Sequence, residues 1–150
     1  MPTISFSIPF AVGAKQGDRS RVVTPRTGKP FVRHYPDPKT KRNAQALEAL
    51  CLPYVPAKPL EGPLRVEIFA NYPWRKSESK RNRARGKIPK DTKPDADNIA
   101  KQVCDVLEAM GFFVNDSQIA HLEVHKAWTD RPSLAVWIIE MEQGAAHDAG

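Results

Sequence analysis

Two aspartates separated by one residue stand directly before the most strongly patterned helical segment of the chain, in the string Pro94-Asp95-Ala96-Asp97-Asn98. Pro94 favours an extended backbone, and in an extended segment residues two apart project from the same side. At an effective dielectric of about 20, two unit charges about 4 Å apart repel by about 4 kcal/mol. A hard divalent cation removes that repulsion and prefers carboxylate oxygens to other ligands. The competing reading is structural: one aspartate caps the helix, worth about 1 kcal/mol, and the other interacts favourably with the helix dipole. The tripeptide by itself leaves both readings open.

A second acidic position follows the helix, in Asn115-Asp116-Ser117-Gln118, after Gly111-Phe112-Phe113-Val114. Asn, Asp and Ser all favour turns, so a solvated turn before a strand is the alternative here. The helix leads away from Asp95 and Asp97, and the connection with its following strand returns. If the start of that strand packs near the start of the helix, Asp116 joins Asp95 and Asp97. Lys101, one turn after Asp97, then faces the same mouth. Three carboxylates and a lysine beside a cationic loop form a set able to cleave a phosphodiester: a metal ion activates water, and the lysine neutralises charge developing on phosphate.

The elements that must position these residues follow from periodicity. Thr3 to Phe10 alternates Ile4, Phe6 and Ile8 with Ser5 and Ser7, a half-buried strand. Val12 to Pro38 has no sustained period and reads as a long basic loop, with a short hairpin around Thr27-Gly28-Lys29. Asp37 before Pro38 marks a helix start, and Ala44, Leu47 and Leu50 or Cys51 recur at helical spacing until Pro53. Leu64 to Ala70 is a second strand. The helix over Ile99 to Met110 carries the stripe Ile99, Val103, Val106, Leu107 and Met110, and Gly111 ends it. Two strands close the chain. In Ile119 to Trp128 the face with Ala120, Leu122, Val124 and Trp128 is expected inward, and Leu134 to Met141 is apolar enough to be covered on both faces. The expected architecture is one α/β domain over residues 1–150, a mixed sheet flanked by two helices, with a frayed tail from about residue 143.

At 150 residues the chain suffices for one domain and not for two ordinary ones. Its formal net charge of +6 favours a polyanionic partner. The cations concentrate in a flexible loop over about residues 75–93, where Arg75, Lys76, Lys80, Arg81, Arg83, Arg85 and Lys87 face only Glu78 as counter-charge before Lys90. So much like charge must be solvated or meet a polyanion, and these side chains, with Lys126 on the following strand, are the candidate DNA contacts. Cys51 and Cys104 lie among apolar neighbours and read as small buried hydrophobes. Neither a secretory leader pattern nor a run of about 18 apolar residues is present, so a soluble cytoplasmic protein without a membrane association is expected.

The run Lys93-Pro94-Asp95-Ala96-Asp97-Asn98-Ile99-Ala100-Lys101, then Asp105, Gly111 to Val114, Asn115-Asp116-Ser117-Gln118 and Lys126, resembles the RusA crossover-junction endodeoxyribonucleases. The resemblance covers Trp74 to Trp128, and the combination of motifs is far more specific than one pair of aspartates. It implies a RusA-like fold and a homodimeric resolvase dependent on Mg²⁺, for which Mn²⁺ can substitute. Such an enzyme cuts four-way (Holliday) DNA junctions by paired symmetric nicks, and is frequently phage or prophage encoded. It further implies Asp95, Asp97 and Asp116 as metal-binding catalytic aspartates and Lys101 as the catalytic lysine, with Asp105 matching a further helical aspartate. Where some members carry two adjacent aspartates, this chain has Asn115-Asp116, leaving Asp116 as the carboxylate there. Two rivals stay open: a nuclease for other branched DNA, and a non-catalytic DNA-binding module. His121, Glu123 and His125 alternate along a strand and read as a solvated face, and Trp74, Trp128 and Trp137 as packing residues rather than base-stacking platforms.

Overall fold

The computed structural model describes residues 3–13, 19–35 and 37–142; the expected frayed tail lies outside them. The elements are β1 (Ile4–Ile8), β2 (Arg19–Val23), β3 (Phe31–Tyr35), α1 (Pro38–Cys51), β4 (Leu64–Pro73), α2 (Lys80–Arg83), β5 (Ile88–Pro89), α3 (Ala96–Ala109), β6 (Ile119–Thr129) and β7 (Ser133–Glu140). Five strands form one sheet in the order β1-β7-β4-β6-β5, and β2 and β3 form a separate pair. β4 runs parallel to β6 and antiparallel to β7, which makes the sheet mixed. The expected α/β architecture, a mixed sheet with two main helices, is the one observed.

β4 is central because its alternation is strict where it meets the helices: Leu64, Val66, Ile68 and Ala70 are all at most 1% exposed. They face Ile99, Val103 and Leu107 of α3 and Leu47 and Cys51 of α1 across one continuous core. α1 begins where the sequence indicates, with Pro38 in its first turn and the Asp37 carboxylate accepting from the amides of Lys39 (3.0 Å) and Thr40 (3.2 Å). α3 ends at Gly111, whose φ of +85° is a left-handed conformation that costs glycine nothing. Both cysteines are buried and unbridged, and burial pushes the Cys51 thiol up to about 11 and the Cys104 thiol up to about 12.

Several expectations are corrected. The two helices cover one face of the sheet only: on β7, Leu134, Val136 and Ile138 are fully buried while Trp137 is 42% exposed and meets Phe69 in a tilted ring contact. On β6, Val124 and Trp128 pack against the core, but Ala120 and Leu122 are exposed. Ala120 falls at a register shift between the Leu64–Ile119 and Arg65–His121 pairs, and Leu122, 45% exposed, lines an open cleft beside Ala100 and Cys104 of α3. The hairpin expected around Thr27-Gly28-Lys29 is present as β2–β3, with Gly28 at φ +108° in its connection, and it takes up more of the expected loop, spanning residues 19–35. The basic stretch after β4 holds a helical turn, α2, capped by Ser79, and the short strand β5, which pairs with Trp128 and Ala127.

Phe112 and Phe113 anchor the chain between α3 and β6. Both are buried, Phe112 donates its amide to Leu107 and accepts from Leu60, and Phe113 bridges to Leu60. Removing such a ring leaves a cavity that a rigid core does not close. Phe112→Ala is expected to lower unfolding free energy by about 3–5 kcal/mol in urea denaturation.

Candidate functional site

Asp95 occupies the N-cap position of α3, yet its carboxylate makes no capping hydrogen bond. The contrast with Asp37, which caps α1 in the ordinary way, is direct. The structure therefore removes the capping explanation for the Asp95 side chain, which stays exposed. Asp97 lies in the first turn and accepts the amide of Asn98 at 2.9 Å, also at the surface.

Asp116 begins a single 3-10 turn, Asp116–Gln118, whose construction is local and complete. Asn115 caps it by accepting from the Ser117 amide at 2.8 Å. Gln118 accepts from the amides of Val114 and Asn115, both at 2.9 Å, and donates to the carbonyls of Leu60 and Gly62, both at 3.0 Å. Glu108 near the end of α3 accepts the Asp116 amide at 2.8 Å. Asn115, Gln118 and Glu108 thus hold the turn and leave the Asp116 carboxylate exposed. The role of Glu108 was not visible in the sequence, although its spacing of seven from Lys101 places the two on one helix face.

The strand start therefore packs near the end of α3 and not near its start. Eleven residues separate Asp97 from Glu108 on α3, about 16 Å of helix axis at about 1.5 Å per residue. A cleft of about 390 Å³ runs along this face, with Asp97, Lys101 and Asp116 on its walls and Ala100, Cys104, Ile119 and Leu122 beneath. Asp95 is not among the residues lining it. Among the described residues no group of three or more His, Cys, Asp or Glu side chains is gathered to hold a metal ion. Asp97 and Asp116 thus line one cleft together with Lys101.

Lys101 lies between Asp97 and Asp116 in helix order and pairs with Asp105 one turn on, Nζ to Oδ1 at 3.0 Å. That hydrogen bond, the Asp105 charge and then the charges of Asp116 and Glu108 raise its pKa. Lys101 accordingly remains cationic at neutral pH and can balance anionic charge but not accept a proton.

The candidate DNA contacts are dispersed. Lys76, Lys80, Arg81, Arg83 and Arg85 are exposed on the segment around α2. Arg75 folds back onto Glu78 (3.2 Å) and over the Trp128 ring, and Arg83 donates to the Arg75 carbonyl. Hydrogen bonds from Asn82 first, then Arg75, hold the Glu78 carboxyl below its usual range. Lys87 lies over Phe69, which also stacks on His125. Glu123 accepts from His121 (3.1 Å) and His125 (3.3 Å), bonds that pull its pKa down to about 2. These three side chains lie on the solvated strand face expected of them.

Lys126 is placed differently. Its ammonium donates to the carbonyls of Thr92 (2.7 Å) and Pro94 (2.8 Å), in the turn that delivers Asp95. Lys90 supports the same turn from the other side: it is 8% exposed, sits 3.8 Å from the Trp128 centroid and donates to Thr92 Oγ1 at 2.6 Å. Burial, then Lys126 and Arg75, lower the Lys90 pKa, and the aromatic face offsets part of that cost. Charge-assisted bonds from a strand to two carbonyls hold a turn that has no ladder of its own. Lys126→Met keeps the apolar stem and deletes those bonds. Amides of residues 92–97 are then expected to exchange with solvent about tenfold faster, while those of β4 keep their rates; hydrogen-exchange mass spectrometry reads both.

The comparisons with known proteins bear on this arrangement. The chain is 30% identical over 150 residues to a Bacillus subtilis (strain 168) protein named "Uncharacterized protein YqaN", a match spanning 94% of this chain and 99% of that one. The family model described as "Endodeoxyribonuclease RusA" matches residues 13–139, a span that contains the cleft, the Lys126 brace and the basic segment. The chain belongs to the RusA endodeoxyribonuclease family.

Proposed function

We propose that this protein is a metal-dependent endonuclease that resolves four-way DNA junctions by paired symmetric nicks. The single observation that carries the reading is the cleft along α3, where Asp97 and Asp116 present carboxylates on either side of the cationic Lys101. Family membership supports a nuclease acting on branched DNA in general, and the net charge of +6 suits a polyanionic substrate.

The donor set fits a hard divalent cation. Asp95, Asp97 and Asp116 are exposed carboxylates, and Asp95 is released from the capping bond its position would ordinarily give it. Mg²⁺ is usually held by one or two carboxylates together with waters and substrate phosphate oxygens, so it does not require a closed protein cage. Asp95, Asp97 and Asp116 would supply the protein oxygens for Mg²⁺ or Mn²⁺, which when bound lowers the pKa of water and polarises the phosphoryl group. Lys101, paired with Asp105, would oppose negative charge growing on the phosphate. Lys126 and Lys90 would hold the turn bearing Asp95. Arg75, Lys76, Lys80, Arg81, Arg83, Arg85 and Lys87 would retain the arms electrostatically. Two cuts on opposing strands call for two sites, which a two-fold homodimer provides. No helix among the described residues is long and apolar enough to cross a membrane; the reading places the enzyme with DNA in the cytoplasm.

Cleavage of a labelled four-way junction and of a matched linear duplex, with Mg²⁺ or Mn²⁺, tests the proposal. The wild type is expected to nick only the junction, symmetrically, and to stop when the metal is chelated. Asp97→Asn and Asp116→Asn are each expected to lower the rate by at least about a hundredfold with junction binding retained. Equal cutting of both substrates would favour a general nuclease. Binding without cutting under either metal would favour a non-catalytic module. Lys101→Met is expected to reduce kcat by about tenfold or more without a matching loss of junction affinity, as removal of a transition-state interaction requires.

A further inference from the structure

The β2–β3 hairpin is unused by the mechanism above, and its chemistry is unusual. It is a sheet of its own, paired with no strand of the main sheet. Its register sets Arg21 opposite Arg33 and Val23 opposite Phe31 on one face, with Val22 opposite Val32 on the other. Phe31, Val32 and Val22 are 52%, 54% and 65% exposed, and Arg21 and Arg33 are exposed as well. Residues 19–36 contain five Arg and Lys and no Asp or Glu.

Each of these features is unfavourable in water alone. A lone two-stranded hairpin is at best marginally stable, like charges directly across a strand pair repel, and exposed apolar side chains on both faces gain nothing from folding. A partner that relieves all three must be densely anionic and must also offer an apolar surface. Duplex DNA offers phosphates but conceals the faces of its bases. A branch point offers both, because strands converge there and base pairs at the crossover lose a stacking neighbour. A second copy of this chain would cover the apolar side chains but would set the same cations against each other, so charge argues for nucleic acid over self-association.

We infer that the β2–β3 hairpin reads the branch point, with Arg21 and Arg33 on converging phosphates and the Phe31 ring against an unstacked base. The inference rests on the branched-DNA reading above and adds the element and the DNA feature that would discriminate junction from duplex.

Equilibrium binding to a four-way junction and to a matched duplex, measured without divalent metal, tests it. Base–aromatic stacking predicts that Phe31→Ala weakens junction binding about tenfold and leaves duplex binding within about twofold. Phe31→Tyr should retain junction affinity, whereas Phe31→Leu, apolar but without a ring, should behave as Phe31→Ala. Arg21→Gln with Arg33→Gln should weaken both substrates and reduce the log–log salt slope by about two. A 2-aminopurine placed at the crossover should change fluorescence on binding wild type and not on binding Phe31→Ala. Equal loss on junction and duplex, no loss on either, or a fall in oligomeric size with Phe31→Ala would overturn the assignment, the last pointing to a second copy. A wild type without junction preference would instead sink the functional reading itself. A preference that survives Phe31→Ala and Phe31→Leu would remove only the hairpin's part in it.

Discussion

The parallel pairing of β4 with β6 is the constraint on which the rest of the structure depends. Parallel neighbours cannot be joined by a tight turn, because the chain must travel back the length of the strand before pairing again. Everything between Pro73 and Ile119 is therefore crossover: the basic segment, β5, the turn at Thr92 to Asp95, α3 and the Asp116 turn. Asp95, Asp97, Lys101, Asp105 and Asp116 all lie on it. α3 buries one face against β4 and β6 to complete the core, which leaves its opposite edge and the rim of β6 to form the cleft.

That geometry also explains why the acidic residues are spread along the cleft. A crossover helix runs antiparallel to the strands it covers, so its start lies beside the far end of β6 and its end beside the beginning of β6. Lys126, seven residues into β6, holds the turn before α3, and Glu108, near the helix end, holds the turn before β6. Asp95 and Asp97 are thus fixed by one tether and Asp116 by another. Both tethers are hydrogen bonds to backbone groups, which restrain position without using the carboxylate of Asp95 or Asp116.

The chain manages its excess of cations in two ways. Lys90, Arg75 and Lys87 are laid over aromatic rings, where the quadrupole partly replaces lost hydration. Others stay exposed around α2, as Lys76, Lys80, Arg81 and Arg85 do, and on the β2–β3 hairpin, as Arg21 and Arg33 do. The face of the sheet that the helices do not cover is treated differently, with Glu123 paired to Arg65 and hydrogen-bonded to His121 and His125. The basic character thus belongs to particular segments rather than to the whole surface.

The amino-acid sequence by itself determined the elements whose signals are local: the Asp37-Pro38 start of α1, the apolar stripe of α3 with Gly111 at its end, the alternating strands, and the motif that marks the family. Periodicity and capping act over a few residues and are legible in one dimension. It did not reveal the length of β4, the exposure of Leu122 or the open side of β7, because these depend on how far the helices reach over the sheet. Nor did it separate Asp37 from Asp95, two aspartates at helix starts, of which one caps its helix and the other does not. Only the tertiary structure decided that Lys126 braces a backbone turn, that Glu108 anchors Asp116, and that Asp116 lies at the far end of the helix from Asp97. Those outcomes follow from the direction of a crossover relative to its strands, a relation between segments distant in sequence that no local pattern encodes.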